Sequence, residues 1–157
     1  MGFSSFNRIS GFQEACDAID GLTARTLAVQ KGDSILDAAI SEIMAQDNPP
    51  TALCFHQDSQ AIPLFFRLQR SGLSVPGDIS VTGFDDSTFA KEAELTTVRQ
   101  RPYDMAVDAA QKALALIEGQ PIEEPFETFP VQLQVRNSTA KPVSYTHLRA
   151  HETCADL

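Results

Sequence analysis

Clustered basic residues are missing from this sequence. Its 157 residues hold 12 Lys and Arg against 21 Asp and Glu, a formal net charge of -9 at pH 7. A nucleic-acid backbone is held by grouped cations that neutralise phosphates, so this surface is not itself built to hold DNA or RNA. Long apolar runs are missing too: no stretch approaches the ~20 residues that cross a bilayer. The opening Met1-Gly2-Phe3-Ser4-Ser5 lacks the charged and apolar regions of a signal peptide, and Met1-Gly2 with Ser5 and Phe6 matches a myristoylation signal only in part. The expected location is therefore cytoplasmic, with no membrane partner. Cys16, Cys54 and Cys154 show no Cys-x-x-Cys spacing and no accompanying chain of His and Cys at metal-ligand intervals. Cys16 and Cys54 read as small buried thiols, and neither a metal nor another cofactor is expected.

What is present suits one domain with a sizeable core, since 43% of the residues are hydrophobic. The chain centres on Val75-Pro76-Gly77-Asp78-Ile79-Ser80-Val81-Thr82-Gly83-Phe84-Asp85-Asp86. A proline-glycine turn feeds a β-branched run suited to a strand buried between helical layers. Gly83 reads as the residue that lets the backbone turn sharply at the strand's end. Two carboxylates then follow at the carboxyl end of a parallel strand, the end that faces the ligand crevice in open α/β sheets.

Around that strand the pattern alternates. Ile9, Phe12, Ala15, Cys16 and Ile19 form one helical face over 7–19, which places Arg8 in the first turn, where a cation opposes the helix dipole. A short strand is expected at 26–29, then a helix capped by Asp33 or Ser34 and striped by Leu36, Ala39, Ile40, Ile43 and Met44. Residues 51–55 form an apolar strand ending at His56-Gln57-Asp58. Asp58 can cap the helix that follows, and Pro63 predicts that this helix starts late or kinks. After Asp86, itself a candidate cap, come a short helix through Ala90 and Glu92, a strand at 95–98 and a long helix over 103–118. That helix has Met105, Ala106, Ala109, Ala110, Ala113, Leu114 and Ile117 on its buried side, and Gly119 and Pro121 stop it. Residues 126–136 read as an extended strand. The alternation predicts a right-handed, mostly parallel α/β sheet.

After Lys141-Pro142 the character changes abruptly. Residues 143–157 resemble the translation of a sequencing-library adapter and are set aside, as an expression scar would be. His147, His151 and Cys154 then carry no selected chemistry. Setting aside Arg149, Glu152 and Asp156 changes the net charge by one unit, so the acidic balance survives.

Four features in this order resemble the regulatory core of the lactose-repressor (LacI/GalR) family of bacterial transcription regulators. They are Arg8-x-x-Gly11-Phe12; Pro50-Thr51-Ala52 through Asp58-x-x-Ala61; Gly72-x-x-Val75-Pro76-x-Asp78-Ile79-Ser80-Val81-x-Gly83-Phe84-Asp85-Asp86; and Leu95-Thr96-Thr97-Val98-x-Gln100. Pro130-Val131-x-Leu133-x-Val135-Arg136-x-Ser138-Thr139 agrees with that family's terminal strand. The resemblance covers residues 8–139 and implies a parallel-sheet, three-layer lobe of the type I periplasmic-binding-protein fold, here incomplete. It places 1–100 in the second effector-binding lobe, lacking its first strand. Residues 101–129 become a returning helix and strand of the first lobe, and 130–142 the terminal strand of the second. In that family two lobes close on an effector and change how a dimer presents helix-turn-helix modules to operator DNA. Those modules would precede Met1.

The same resemblance implies a site for a small-molecule effector, a sugar or related metabolite, and implies a homodimer in the intact protein. Arg8 matches an effector-contacting arginine, whose planar fork of donors suits vicinal hydroxyls or a carboxylate; the bland alternative is a solvated helix residue. Asp85 matches an effector-binding carboxylate, with a helix cap as its alternative. Gln57 stands where relatives often carry Asn, and its amide can donate and accept. Ser34 falls where sugar-binding relatives often place a stacking aromatic. Gln100, on the crossover between lobes, either contacts effector or satisfies backbone groups. Phe65 and Phe66 lie on a helix used in the family's subunit interface, although an aromatic pair is more often core. A solute-binding protein for transport would use the same lobes. An enzymatic reading, with Asp58, Asp85 and Asp86 as a metal or phosphoacceptor site, lacks a phosphate-cradling glycine loop, a partnered nucleophile and a clear catalytic lysine.

Overall fold

A computed structural model of the protein describes residues 3–27, 38, 40–42 and 44–142, the side chains of 3–5 excepted. In chain order these form α1 (Phe3–Asp17), β1 (Ala52–Cys54), α2 (Asp58–Arg70), β2 (Ser80–Phe84), α3 (Thr88–Glu92), β3 (Thr96–Arg99), α4 (Pro102–Ile117) and β4 (Gln132–Gln134). The four strands make one sheet in the order β1-β2-β3-β4. β1 and β3 flank β2 in parallel, with Leu53 opposite Val81 and Gly83 opposite Thr97, and β4 closes the other side of β3 antiparallel. The sheet is mostly parallel, as the alternation predicts, and it has the expected α/β class.

Local chemistry explains the helix ends. α2 has Asp58 in its first turn and Arg67 and Arg70 in its last, both favourable for the helix dipole. It stops where Gly72 takes a positive φ of 87°, with Leu73 N–H donating to Leu68 O at 3.0 Å and Gly72 N–H to Gln69 O at 3.1 Å. α4 starts with Pro102 in its first turn and ends the same way at Gly119, through Gln120 N–H to Ala115 O at 2.8 Å. The core lies between α2, α3 and the sheet, around Leu64, Leu68, Ile79, Val81, Ala90 and Leu95, all at or below 1% exposure.

Several expectations change on contact with this architecture. α1 begins at Phe3, so Arg8 sits in its second turn. Cys16 is buried, but Phe12 and Ile19 are exposed, because that face stays open among the described residues. Cys54 is exposed on β1 rather than buried. α2 neither starts late nor avoids Pro63; it begins at Asp58 and carries the proline inside. Phe65 joins the core while Phe66 stays 45% exposed, the two rings meeting edge to face at 5.4 Å. The apolar side expected to bury α4 is not buried at all. Of the extended run 126–136 only Gln132–Gln134 pairs, since β3 offers it just three partners. The expected strand at 26–29 and the cap at Asp33 or Ser34 fall largely or wholly outside the described residues.

Candidate functional site

The carboxyl ends of β1 and β2 meet α1. From its second turn Arg8 reaches across, and its Nη1 donates to the His56 carbonyl oxygen at 2.6 Å, just past β1. The same nitrogen stands 3.6 Å from Asp85 Oδ1, just past β2. Phe84, the last residue of β2, lies beneath the guanidinium, with Cζ 3.9 Å from the ring centroid. That distance permits a cation–π contact. Gln100, immediately after β3, donates from Nε2 to the same Asp85 Oδ1 at 2.7 Å. Three residues singled out from the sequence, Arg8, Asp85 and Gln100, thus converge from three separate elements. Gln57 is close by in the chain, at the N-cap position of α2, where its side chain makes no capping bond. Ser34 lies outside the described residues.

Asp85 is held in an uncommon backbone state. Its φ is 117° and that of Asp86 is 55°, positive values at two consecutive residues that are not glycine. Such conformations cost on the order of 1–3 kcal/mol each and last only where the surroundings fix them. Gly83, expected to supply the turn, does something else. A Cβ there would stand 2.2 Å from Asp58 Oδ1 and 2.9 Å from Leu95 Cδ2, so the glycine makes room for a buried carboxylate and the aspartates bear the turn.

The carboxylates have distinct partners. Burial, the largest influence, pushes the Asp85 carboxyl above the ordinary range; the Arg8 charge pulls it down, Asp58 pushes it up, and the net is upward. Asp86 is not a helix cap. Ser87 caps α3, its Oγ accepting from Ala90 N–H at 3.2 Å. Asp86 instead receives Arg99 Nε at 2.5 Å on Oδ2 and the Arg136 guanidinium on Oδ1. Its burial raises the carboxyl, but hydrogen bonds and charge from Arg136 and Arg99 outweigh that and leave it lowered. Asp58 does not cap its own helix either; its carboxylate, 1% exposed, accepts from Thr97 Oγ1 at 2.6 Å and Ser87 N–H at 2.8 Å. The three aspartates therefore do not converge on a shared cation, and no group of three or more His, Cys, Asp or Glu among the described residues could hold a metal ion. Sequence reasoning missed the Phe84 shelf, the His56 carbonyl and the Asp86–Arg99–Arg136 cluster. The first has a signal in the aromatic residue directly before Asp85; the other two depend on long-range approach.

An arginine and a carboxylate at the carboxyl tips of a parallel sheet, flanked by amides, make a binding edge for a polar small molecule. A family model described as a periplasmic binding protein-like domain matches residues 3–139. The chain belongs to that family, and within it to the effector-binding portions of LacI/GalR-type transcription regulators. The transcriptional regulator GalR of Escherichia coli (strain K12) is 33% identical over 141 residues, covering 87% of this chain and 41% of that protein. The arabinose metabolism transcriptional repressor of Geobacillus stearothermophilus is 40% identical over 97 residues, 60% of this chain and 27% of that protein. The chain thus spans less than half the length of these curated relatives. Among solved structures, a LacI family transcriptional regulator from Bifidobacterium animalis subsp. lactis superposes with a TM-score of 0.74 at 27% identity, over 87% of this chain and 50% of that one. The complex of the transcriptional regulator CelR with cellobiose superposes with a TM-score of 0.71 at 30% identity, over 85% of this chain and 42% of that one.

Proposed function

We propose that this chain senses a carbohydrate or related polyhydroxy metabolite for a LacI-type, DNA-binding transcription regulator. Arg8, Asp85, Gln57 and Gln100 are the contacts in that reading, with Ser34 as a further one. The observation that carries it is the 3.6 Å approach of Arg8 to Asp85 at the strand tips. With Gln100 and Arg8 both at Oδ1, the second oxygen of Asp85 is left to accept from a ligand hydroxyl, and the guanidinium donates to a neighbouring one. Binding without turnover fits the regulators among the relatives. The transport-protein alternative is not favoured, because these relatives are transcription regulators.

The same proposal assigns 1–100 and 130–142 to the second lobe of a two-lobed clamp and 101–129, with the uncovered α4, to the first. The intact protein is then a cytoplasmic homodimer that meets operator DNA through a separate amino-terminal module. No described helix is long and apolar enough to cross a membrane. The test is calorimetric titration of the complete reading frame with L-arabinose and with cellobiose as probes. Saturable binding without turnover is expected for at least one, weakened on the order of 10–100-fold by Arg8→Ala and by Asp85→Ala, the loss of one charge-assisted hydrogen bond. Affinity unchanged in both variants removes the site assignment.

A further inference from the structure

Beyond the residues at the edge itself stands Asp58, buried at 1% exposure. Its two oxygens take different duties. Oδ2 accepts from the Ser87 backbone N–H at 2.8 Å, and Oδ1 accepts from the Thr97 hydroxyl at 2.6 Å. Thr97 Oγ1 in turn accepts from the backbone N–H of Asp86 at 3.4 Å. Two consecutive amides that follow Asp85 are thus held from one carboxylate, one directly and one through a hydroxyl. On the near side, Gly83 has no side chain, and Asp58 occupies the space a Cβ would need. Between these holds lie the two positive φ values at Asp85 and Asp86. Asp58 is also only two residues past His56, whose carbonyl receives Arg8.

We infer that Asp58 is the positioning residue of the site: from the first turn of α2 its buried carboxylate pins the turn that carries Asp85, and so sets how Asp85 faces Arg8. A strained turn holds its shape when several bonds over-determine it: Asp85 N–H donates to Val98 O at 2.9 Å and the Asp86 carboxylate takes Arg99 and Arg136, while the two amides that follow Asp85 are held from Asp58. Freed from them, Asp85 relaxes towards ordinary φ and its carboxylate leaves the guanidinium. The inference deepens the proposed binding site and takes its purpose from that reading.

The test is a double-mutant cycle on the 157-residue chain, read by carbon-13 NMR titration of the Asp85 side-chain carboxyl. In the wild-type background Arg8→Ala is expected to raise the Asp85 midpoint, because the guanidinium charge 3.6 Å away pulls it down. In the Asp58→Asn background the same Arg8→Ala step is expected to move the midpoint by less than half as much. The cycle subtracts the direct effect of the lost Asp58 charge, so only the Arg8–Asp85 geometry is read. Thr97→Val, which keeps Asp58 and removes only the hydroxyl bridge, is expected to give a smaller loss in the same direction, and Thr97→Ser to restore the coupling; this arm decides if Asp58→Asn does not fold. A full Arg8→Ala shift in Asp58→Asn, or in Thr97→Val where Asp58→Asn does not fold, overturns the inference. Carbohydrate plays no part in the measurement, so failure of L-arabinose or cellobiose to bind counts against the binding reading alone.

Discussion

Asp85 and Asp86 are neighbours whose carboxyls the fold shifts in opposite directions. Asp86 is lowered by Arg136 and Arg99 against its burial. A carboxyl with a lower pKa in the folded than in the unfolded chain contributes stability that is complete above the unfolded value, about 4, and is lost as pH falls through the folded one. Asp85 is raised, chiefly by burial. The folded chain therefore holds its proton more tightly than the unfolded chain does, and the stability this gives at low pH is lost as pH rises through the folded value. Asp86→Ala takes the carboxylate from Arg136, whose side chain is 14% exposed and keeps, among the described residues, only the Leu95 carbonyl oxygen at 2.7 Å, and is expected to cost about 3 kcal/mol in urea unfolding at pH 7. That cost shrinks below pH 4, whereas Asp85→Asn is expected to cost nothing at pH 7. A loss under about 1 kcal/mol for Asp86→Ala, the scale of an exposed ion pair, counts against the cluster as a buried one.

At the scale of elements, α2 keeps its length despite a residue that opposes it. Pro63 sits exposed in the helix interior, where it removes a backbone donor and its ring crowds the preceding turn. The helix persists because Ala61, Leu64, Phe65 and Leu68 bury their side chains on the sheet, and tertiary packing outweighs local propensity. Pro63→Ala is expected to raise stability by about 2–2.6 kcal/mol, the helix penalty of proline less the entropy it removes from the unfolded chain. An unfolding midpoint that stays put or falls shows that the proline is not strained there. The segment after β4 is tied firmly at one point: Ser138, fully buried, donates from Oγ to Val81 O at 2.6 Å and accepts from Thr96 N–H at 2.8 Å. This stitches residues after β4 across β2 and β3, which a three-residue edge strand alone would not secure.

At the scale of the whole molecule, burial is uneven. Leu68 is fully enclosed, whereas Leu114, Leu116 and Ile117 on α4 are 58%, 64% and 80% exposed. Leu68→Ala is expected to lower stability by about 2–5 kcal/mol, and Leu114→Ser to stay within about 0.5 kcal/mol, both read from urea unfolding of this chain. A Leu114→Ser cost comparable to that of Leu68→Ala means that α4 packs against the lobe in solution. In the two-lobed reading proposed above, this face belongs against the first lobe.

Much of this was legible in the residues. The apolar and β-branched runs marked β1, β2 and β3 to within a residue or two, and Gly119 marked the end of α4, because those signals are local: a side chain's period and a residue's φ preference do not depend on distant partners. The motif order likewise pointed to Arg8, Asp85 and Gln100. Distant approach settled the rest. Apolar stripes on α1 and α4 showed that a face could be buried but not whether anything covered it. Asp58 and Asp86 each looked like a cap for the next helix, because capping is the common short-range use of an aspartate. Only the packed sheet brought Thr97, Arg99 and Arg136 to them, and only there did Gly83 prove to be space for a carboxylate. Sequence alone determined the elements and the chemistry available at their tips; tertiary structure decided which charges meet, because a carboxylate's partners are set by three-dimensional proximity and burial.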